Sequence, residues 1–369
     1  MTGAPRFVFA CGGSGGHIFP AFSVAEELKK RFPTATVLFV CGKKDIVLEI
    51  FRSLSTEKVV VMESAPFRGP LSFINPVFLL KSFIGFFQAV RLLFRERPDL
   101  VVGYGGYFSL PVVLIARVLN IKTMIHEQNV IPGAANAFLM RFADGAALSF
   151  SETRRLLPKH RNIRVTGNPI RKAIESCPRG QGLSFFGFSP EKITLLVLGG
   201  SQGAESINTF FIEALAFLGA PARRRLQALH LCGRMPPQDA EASMAQHGLE
   251  GRAFSFFDRM DLAYSVADLA VGRAGATFLA EIHAKKIPAI LVPYPFGNGH
   301  QKANAEWFCS EETSSILMEQ KDLTPEKLAR LIEDRLPAAE ERHSGPPAST
   351  TGGNAREALA EFISEFISS

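Results

Sequence analysis

The chain has 369 residues, 47% of them apolar and 21% charged, enough for about two domains and outside the composition of disordered or collagen-like chains. Its net charge of +6 is unevenly placed: residues 1–166 hold 21 Lys and Arg against 11 Asp and Glu (+10), the remainder 20 against 24 (−4). A basic first half suits a polyanion such as nucleic acid, anionic lipid or a phosphorylated substrate; the alternative is ordinary scatter of solvated charge.

In chain order, Phe7–Cys11 reads as a strand, too short an apolar run for a signal peptide. The loop Gly12-Gly-Ser-Gly-Gly16 follows, then a helix from Ala21 to Phe32 stopped by Pro33. Apolar runs at Thr36–Val40, Leu100–Val102 and Thr123–Ile125 alternate with helical stretches, the pattern of a parallel sheet covered on both faces. Leu100–Ala116 carries no charge, but Gly103, Gly105, Gly106 and Pro111 interrupt it, so it reads as strand, loop and helix and crosses no membrane.

Val77–Phe94 predicts a helix on which Lys81, Gly85, Gln88, Arg91 and, just beyond, Arg95 form one polar stripe; apart from Ser82 the rest is apolar. Covering a sheet takes an apolar face of about 100°. The surplus is expected to be exposed. With Phe67, Phe73, Ile74, Phe78 and Phe83 and the basic residues Arg68, Lys81, Arg91 and Arg95, the segment reads as an interfacial patch. The alternative is burial by a neighbouring element or a dimer.

The turn-rich run Val165-Thr-Gly-Asn-Pro169 sets the expected domains at 1–166 and 167–345. The opening pattern then recurs: a strand Ile193–Leu198, the loop Gly199-Gly-Ser-Gln-Gly203 and a helix Glu205–Leu218. Further strands are predicted at Ala228–Leu231, Asp268–Val271 and Ala289–Val292, with a helix Ala276–Lys285. Pro337–Asn354 reads as flexible, and 355–368 as a last amphipathic helix that could return to the first domain. The expected fold class is α/β, two doubly wound Rossmann-like domains facing across a cleft.

A strand leading through glycines into a helix N-terminus concentrates free backbone N–H groups and suits phosphate. A dinucleotide site fits poorly, because Gly13-Ser-Gly15-Gly-His-Ile18 lacks the third glycine and Cys41-Gly-Lys-Lys44 lacks the ribose-binding acid. There is no P-loop and no Asp-x-Asp, and the five scattered cysteines contain no C-x-x-C pair, so neither a bound metal nor a cofactor nor a disulfide framework is expected, and a reducing compartment fits. The charge of a leaving diphosphate would fall to helix N-termini and basic side chains, Arg171 and Arg273 being candidates. Polar residues gather after predicted strands: Gly103-Tyr-Gly-Gly-Tyr107, His126-Glu-Gln-Asn129, Arg273-Ala-Gly-Ala-Thr277 with Glu281 for a ribose diol, and Gly297-Asn-Gly-His-Gln301 with Asn304. His17, at the mouth of the first loop, is placed to act as a neutral general base.

These motifs, with Gly167-Asn-Pro-Ile-Arg171, run in order from residue 12 to about 305 and together resemble the MurG family, the N-acetylglucosaminyltransferases that complete lipid II in bacterial peptidoglycan synthesis. The resemblance implies a GT-B fold and an inverting transfer of GlcNAc from UDP-GlcNAc to the C4 hydroxyl of undecaprenyl-diphospho-N-acetylmuramoyl-pentapeptide. It further implies a first loop of Gly13, Ser14 and Gly15, donor-sugar contacts from Asn129 and Gln301, nucleotide contacts from Arg171 and Ser201, and uracil contact through the Phe257 backbone. Ala276, Thr277, Phe278, Leu279, Ala280 and Glu281 would line the diphosphate and ribose. Ser14 stands where threonine is frequent, and Phe257 where an aliphatic is common. His17 is the expected base, with Glu127 its rival.

A polyprenyl acceptor further implies a peripheral protein on the cytoplasmic face of the inner membrane, attached to anionic lipid and working among cell-wall synthesis proteins in cell shape, cell cycle and division. Nucleic acid is not an expected partner. Competing readings are another UDP-sugar-dependent glycolipid glycosyltransferase acting on an acceptor such as diacylglycerol, a UDP-GlcNAc 2-epimerase, and a nucleotide-sugar-binding subunit without turnover.

Overall fold

The computed structural model describes residues 4–43, 51, 58–63, 76–157, 162–200, 203–296, 299–344 and 353–368. It divides into two compact units, Met1–Arg171 with Asn354–Ser369, and Lys172–Gly353.

The first unit is built as β1 (Arg6–Ala10), α1 (Gly15–Arg31), β2 (Thr36–Gly42), β3 (Val59–Met62), α2 (Pro76–Glu96), β4 (Leu100–Gly103), α3 (Ser109–Val118), β5 (Lys122–Glu127), α4 (Ala134–Leu139), β6 (Gly145–Leu148) and β7 (Ile163–Val165). All seven strands are parallel, in the order β3-β2-β1-β4-β5-β6-β7. Apolar β1 and β4 are buried on both faces, as central strands must be. The order reverses between β1 and β4. That is where loops part and an open α/β sheet binds its ligand.

The second unit runs α5 (Lys172–Ser176), α6 (Arg179–Phe186), β8 (Ile193–Leu198), α7 (Glu205–Ala214), α8 (Ala220–Arg225), β9 (Leu226–Leu231), α9 (Pro237–Gln246), β10 (Glu250–Phe254), α10 (Met260–Val266), β11 (Leu269–Gly272), α11 (Ala276–Ala284), β12 (Ala289–Leu291), α12 (His300–Glu311), β13 (Ile316–Leu317) and α13 (Pro325–Ser344). Its parallel sheet has the order β10-β9-β8-β11-β12-β13, with the switch between β8 and β11. Fully buried Asp268, just before β11, ties the far end of this sheet together: it receives both Arg179 guanidinium nitrogens at 2.8 Å and the Thr194 N–H at 2.8 Å.

One expectation needs correction. The stretch from Pro337 is not flexible at its start, because α13 continues through Pro337 to Ser344. Ile332, Leu336 and Ala339 bury its apolar face, and Arg342 Nε donates to the Lys285 carbonyl at 3.0 Å, packing that outweighs the missing proline N–H. On α2 the polar stripe is divided between the sheet and the surface. Gly85 lies against β3, where a side chain would meet the Glu63 carbonyl, and Gln88 Oε1 accepts the Glu63 N–H at 2.8 Å.

The inner face of α2 is Gly85, Ala89, Leu92 and Leu93, while Leu80, Phe83 and Phe94 are each at least 60% exposed. Lys81, Arg91 and Arg95 are exposed on the same helix. Phe73, Ile74 and the Phe78 side chain lie outside the described residues.

The last helix, α14 (Gly353–Ser368), belongs to the first unit. Leu359, Ala360 and Ile363 are buried, and Arg164 donates to both Glu365 oxygens at 3.2 and 2.6 Å with its guanidinium 4.6 Å from the Phe362 ring. Arg356 Nη1 donates to the Ile170 carbonyl at 3.1 Å, joining this helix to the segment where the chain leaves the unit.

Candidate active site

Both switch points carry glycine loops, and in the first the loops touch by backbone. Gly106, at φ +79°, would put a Cβ 2.6 Å from the Gly12 Cα, so neither position tolerates a side chain. His17 fills the space beside them: a Cβ on Gly12 would come within 2.6 Å of its Nδ1, and one on Gly105 within 3.1 Å of its Nε2. Ser14, the residue before α1, brings its hydroxyl 3.1 Å from His17 Nδ1. Burial lowers the His17 pKa to about 4, so the ring is neutral at pH 7.

The β5 loop is organised by Glu127. Its side chain is buried: Oε1 accepts the Asn129 N–H at 2.9 Å and Asn129 Nδ2 at 3.1 Å, while Oε2 accepts the Gly133 N–H at 3.0 Å and Asn136 Nδ2 at 2.9 Å. Four donors occupy the lone pairs that a base would need for a substrate hydroxyl. The carboxylate therefore shapes the loop from 127 to 136 and sets the Asn129 amide. Fully buried His126 accepts from Gln128 Nε2 at 3.0 Å through Nδ1, which leaves Nε2–H to donate to the Gly167 carbonyl at 3.3 Å. Its pKa falls to about 4, chiefly through burial, with nearby His17 adding to the shift and the Gly167 bond opposing it. The Tyr104 ring lies tilted 5.4 Å from His126, and its hydroxyl, Gln128 Oε1 and Asn136 Oδ1 are buried without a hydrogen-bond partner among the described residues. Unpaired buried polar atoms cost about 1–3 kcal/mol each and concentrate at functional sites. Tyr104 falls within the Gly103–Tyr107 motif, but Asn136 does not stand out in the sequence, where an asparagine in a helix carries no signal.

Arg171 ends the first unit with its guanidinium 4.2 Å from the Phe19 ring of α1. In the second unit Gly199 and Gly203 are packed as tightly as Gly12 and Gly106: a Cβ on Gly199 would fall 2.0 Å from the Ala204 N, and one on Gly203 2.9 Å from the Gly233 Cα. Ser201 lies outside the described residues. The α11 N-terminus follows Gly275, with Ala276 and Thr277 in its first turn. Phe278 and Leu279 bury their side chains in the core, and the Leu279 N–H already bonds the Gly275 carbonyl at 3.0 Å, so this end offers a ligand the backbone of the first turn rather than these side chains. Glu281, one turn on and buried, receives the Tyr264 hydroxyl on Oε2 at 2.7 Å; Ala280 is half-buried. Phe257 is wedged among Phe254, Phe186 and Phe185 at ring distances of 4.8, 5.4 and 5.8 Å, which fixes its backbone and keeps the ring within the aromatic cluster.

Arg273 departs from the expected role. Nη1 donates to the Val292 and Pro293 carbonyls, both at 3.0 Å, and Nη2 to Ser206 Oγ at 2.8 Å and Gln320 Oε1 at 2.6 Å. The guanidinium cross-braces loops instead of facing a diphosphate. Gln301 Oε1 accepts the Tyr294 N–H at 2.9 Å, and Asn304 Nδ2 donates to the Ala274 carbonyl at 3.2 Å.

Family models for the glycosyltransferase family 28 N-terminal and C-terminal domains match residues 7–148 and 194–362. The chain belongs to glycosyltransferase family 28. Within the family, it is 39% identical over 347 residues to the UDP-N-acetylglucosamine–N-acetylmuramyl-(pentapeptide) pyrophosphoryl-undecaprenol N-acetylglucosamine transferase of Halothermothrix orenii, covering 89% of this chain and 90% of the relative. It is 39% identical over 354 residues to the transferase of the same name from Geotalea uraniireducens, covering 95% and 93%. The crystal structure of Acinetobacter baumannii MurG is similar with a TM-score of 0.70 and 27% identity over 98% of this chain and 99% of that one. A UDP-GlcNAc 2-epimerase from Neisseria meningitidis reaches a TM-score of 0.67 at 12% identity, covering 98% and 100%, a likeness of fold alone. Paired doubly wound units of this family are of GT-B type.

Proposed function

We infer that the protein performs the reaction of these relatives, moving GlcNAc from UDP-GlcNAc to undecaprenyl-diphospho-N-acetylmuramoyl-pentapeptide and releasing UDP. The observation that carries this reading is the identity of 39% to transferases of that name along nearly the whole chain, together with glycine loops at both switch points. The acceptor is the C4 hydroxyl of the muramoyl sugar. Its oxygen attacks the anomeric carbon on the face opposite UDP, the C–O bond to the diphosphate breaks, and the configuration inverts. Neutral His17 takes the hydroxyl proton, a role for which Glu127 lacks an open lone pair. The α7 and α11 N-termini meet the diphosphate charge through backbone N–H groups, the Phe257 backbone meets uracil, Glu281 the ribose, and Asn129 and Gln301 the sugar.

The exposed apolar face of α2, with Lys81, Arg91 and Arg95, brings the first unit to the anionic cytoplasmic surface of the membrane that holds the acceptor. Among the described residues no helix is long and apolar enough to cross a membrane, so this face supplies a peripheral attachment. Incubation with UDP-GlcNAc and a lipid I analogue tests the reading. One UDP released per GlcNAc transferred, with no transfer to diacylglycerol, supports it; conversion of UDP-GlcNAc to its 2-epimer, or UDP binding without turnover, overturns it.

A further inference from the structure

We propose that Arg273 and Tyr294 are positioning residues for donor-sugar recognition, acting through the Gln301 amide; the proposal rests on the reading of Gln301 as a sugar contact. A backbone N–H bonds only an acceptor, so the 2.9 Å contact from the Tyr294 N–H assigns the carbonyl oxygen of the Gln301 side chain to Tyr294. The Nε2 amide is then the group that remains to donate to a sugar hydroxyl. Which way that amide points depends on where Tyr294 sits, and the Tyr294 ring itself is 47% exposed and stacks edge-on at 5.4 Å with Phe296, which is 69% exposed. Neither ring anchors the loop in the core.

Arg273 ties the start of this loop. Its guanidinium bonds the carbonyls of Val292 and Pro293 immediately before Tyr294 and lies 5.5 Å from the Tyr294 ring centroid. Its other terminal nitrogen reaches Ser206 in the first turn of α7 and Gln320, and Ser206 Oγ in turn donates to Gln320 Oε1 at 3.2 Å. One planar, five-donor group thus references the sugar-side loop to the helix whose N-terminus receives the diphosphate, a geometry a lysine ammonium cannot reproduce. The two ends of the brace differ in their dependence on it. Helix α7 is fixed independently by Ile207 and Phe211 in the core, whereas Tyr294, Pro295 and Phe296 are exposed and follow directly on the two carbonyls that Arg273 bonds.

The test compares the KM for UDP-GlcNAc with the Ki of UDP as a competitive inhibitor, in variants whose melting transitions are checked. Arg273→Lys raises the KM about tenfold and Tyr294→Leu about threefold, while the Ki of UDP stays within twofold for both. Gln301→Ala raises the KM as well, and combining it with Arg273→Lys adds no more than a further twofold, since both changes act on one amide. A UDP Ki that rises in step with the KM makes Arg273 a diphosphate ligand and overturns the proposal, as does a double variant equal to the product of the singles. Tyr294→Leu, an exposed position, decides the matter if the arginine variant fails to fold: an unchanged KM there refutes the coupling. An unchanged KM in Gln301→Ala removes the sugar-contact reading itself and this proposal with it; a raised KM in Gln301→Ala alone removes only the proposal.

Discussion

In the first unit the loops after β1, β4 and β5 are held by glycine backbones in contact, two neutral histidines and a carboxylate turned inward on four donors. In the second, the corresponding loops are held by a buried guanidinium, and helices α7 and α11 begin after glycine-containing loops. The same topology is thus lined differently in the two units, which is what the proposed reaction asks of each. A neutral, partly desolvated imidazole is ready to receive a proton; a concentration of backbone N–H groups is ready to receive an anion.

Breaking the organiser of the first unit has the largest structural effect. Glu127→Gln sets an amide N–H against donors that now lack an acceptor, and loss of stability of about 3 kcal/mol, measured by denaturant titration, is expected along with loss of transfer. Acid sharpens the comparison in both units at once. His126 in the first and His230 in the second each have a folded pKa of about 4 against an ordinary 6.5, both through burial. Protonation therefore favours the unfolded chain: stability is complete above pH 6.5 and is lost as pH falls from 6.5 toward 4. Each histidine contributes a loss of about 2 kcal/mol between pH 7 and 5. His230 Nε2 bonds Asn208 Oδ1 at 3.0 Å, and a His230→Gln variant keeps such a donor without the titration, so urea midpoints at pH 7 and 5 should lie closer together than in the wild type.

The exposed apolar face of α2, proposed to meet the membrane, belongs to the first unit. Phe83→Asp with Phe87→Asp places two charges where exposed rings now stand, and partition onto phosphatidylglycerol vesicles should drop at least tenfold with the fold intact. Replacing Lys81, Arg91 or Arg95 singly with Gln removes about 1 kcal/mol each, roughly a fivefold weakening that disappears at high salt. Vesicle binding unchanged in the double Asp variant would remove the patch.

Much of this architecture was legible because local signals agreed with global ones. Apolar runs followed by glycines marked β1 and β8 and the loops at both switch points, since a tight backbone approach admits few other residues. Where the reading failed, contacts distant in sequence decided. The inward turn of Glu127 needs Gly133 and Asn136 brought back to it, and the bracing by Arg273 needs Ser206 and Gln320 from other loops. Helical periodicity put Gly85 and Gln88 on one stripe with Lys81 and Arg91 but does not report which neighbour meets a stripe; the end of β3 meets these two. Pro337 reads as a breaker until the burial of Leu336 and Ala339 around it is known.

The division of labour between the units is tested most directly by the steady-state constants of His17→Ala with UDP-GlcNAc and a lipid I analogue. A proton-accepting imidazole contributes about 10²–10⁴ in rate, so the account predicts a kcat lowered by at least 10² with the KM for UDP-GlcNAc within about threefold of wild type. A kcat near the wild-type value, or a loss expressed wholly as a raised KM for UDP-GlcNAc, would contradict it.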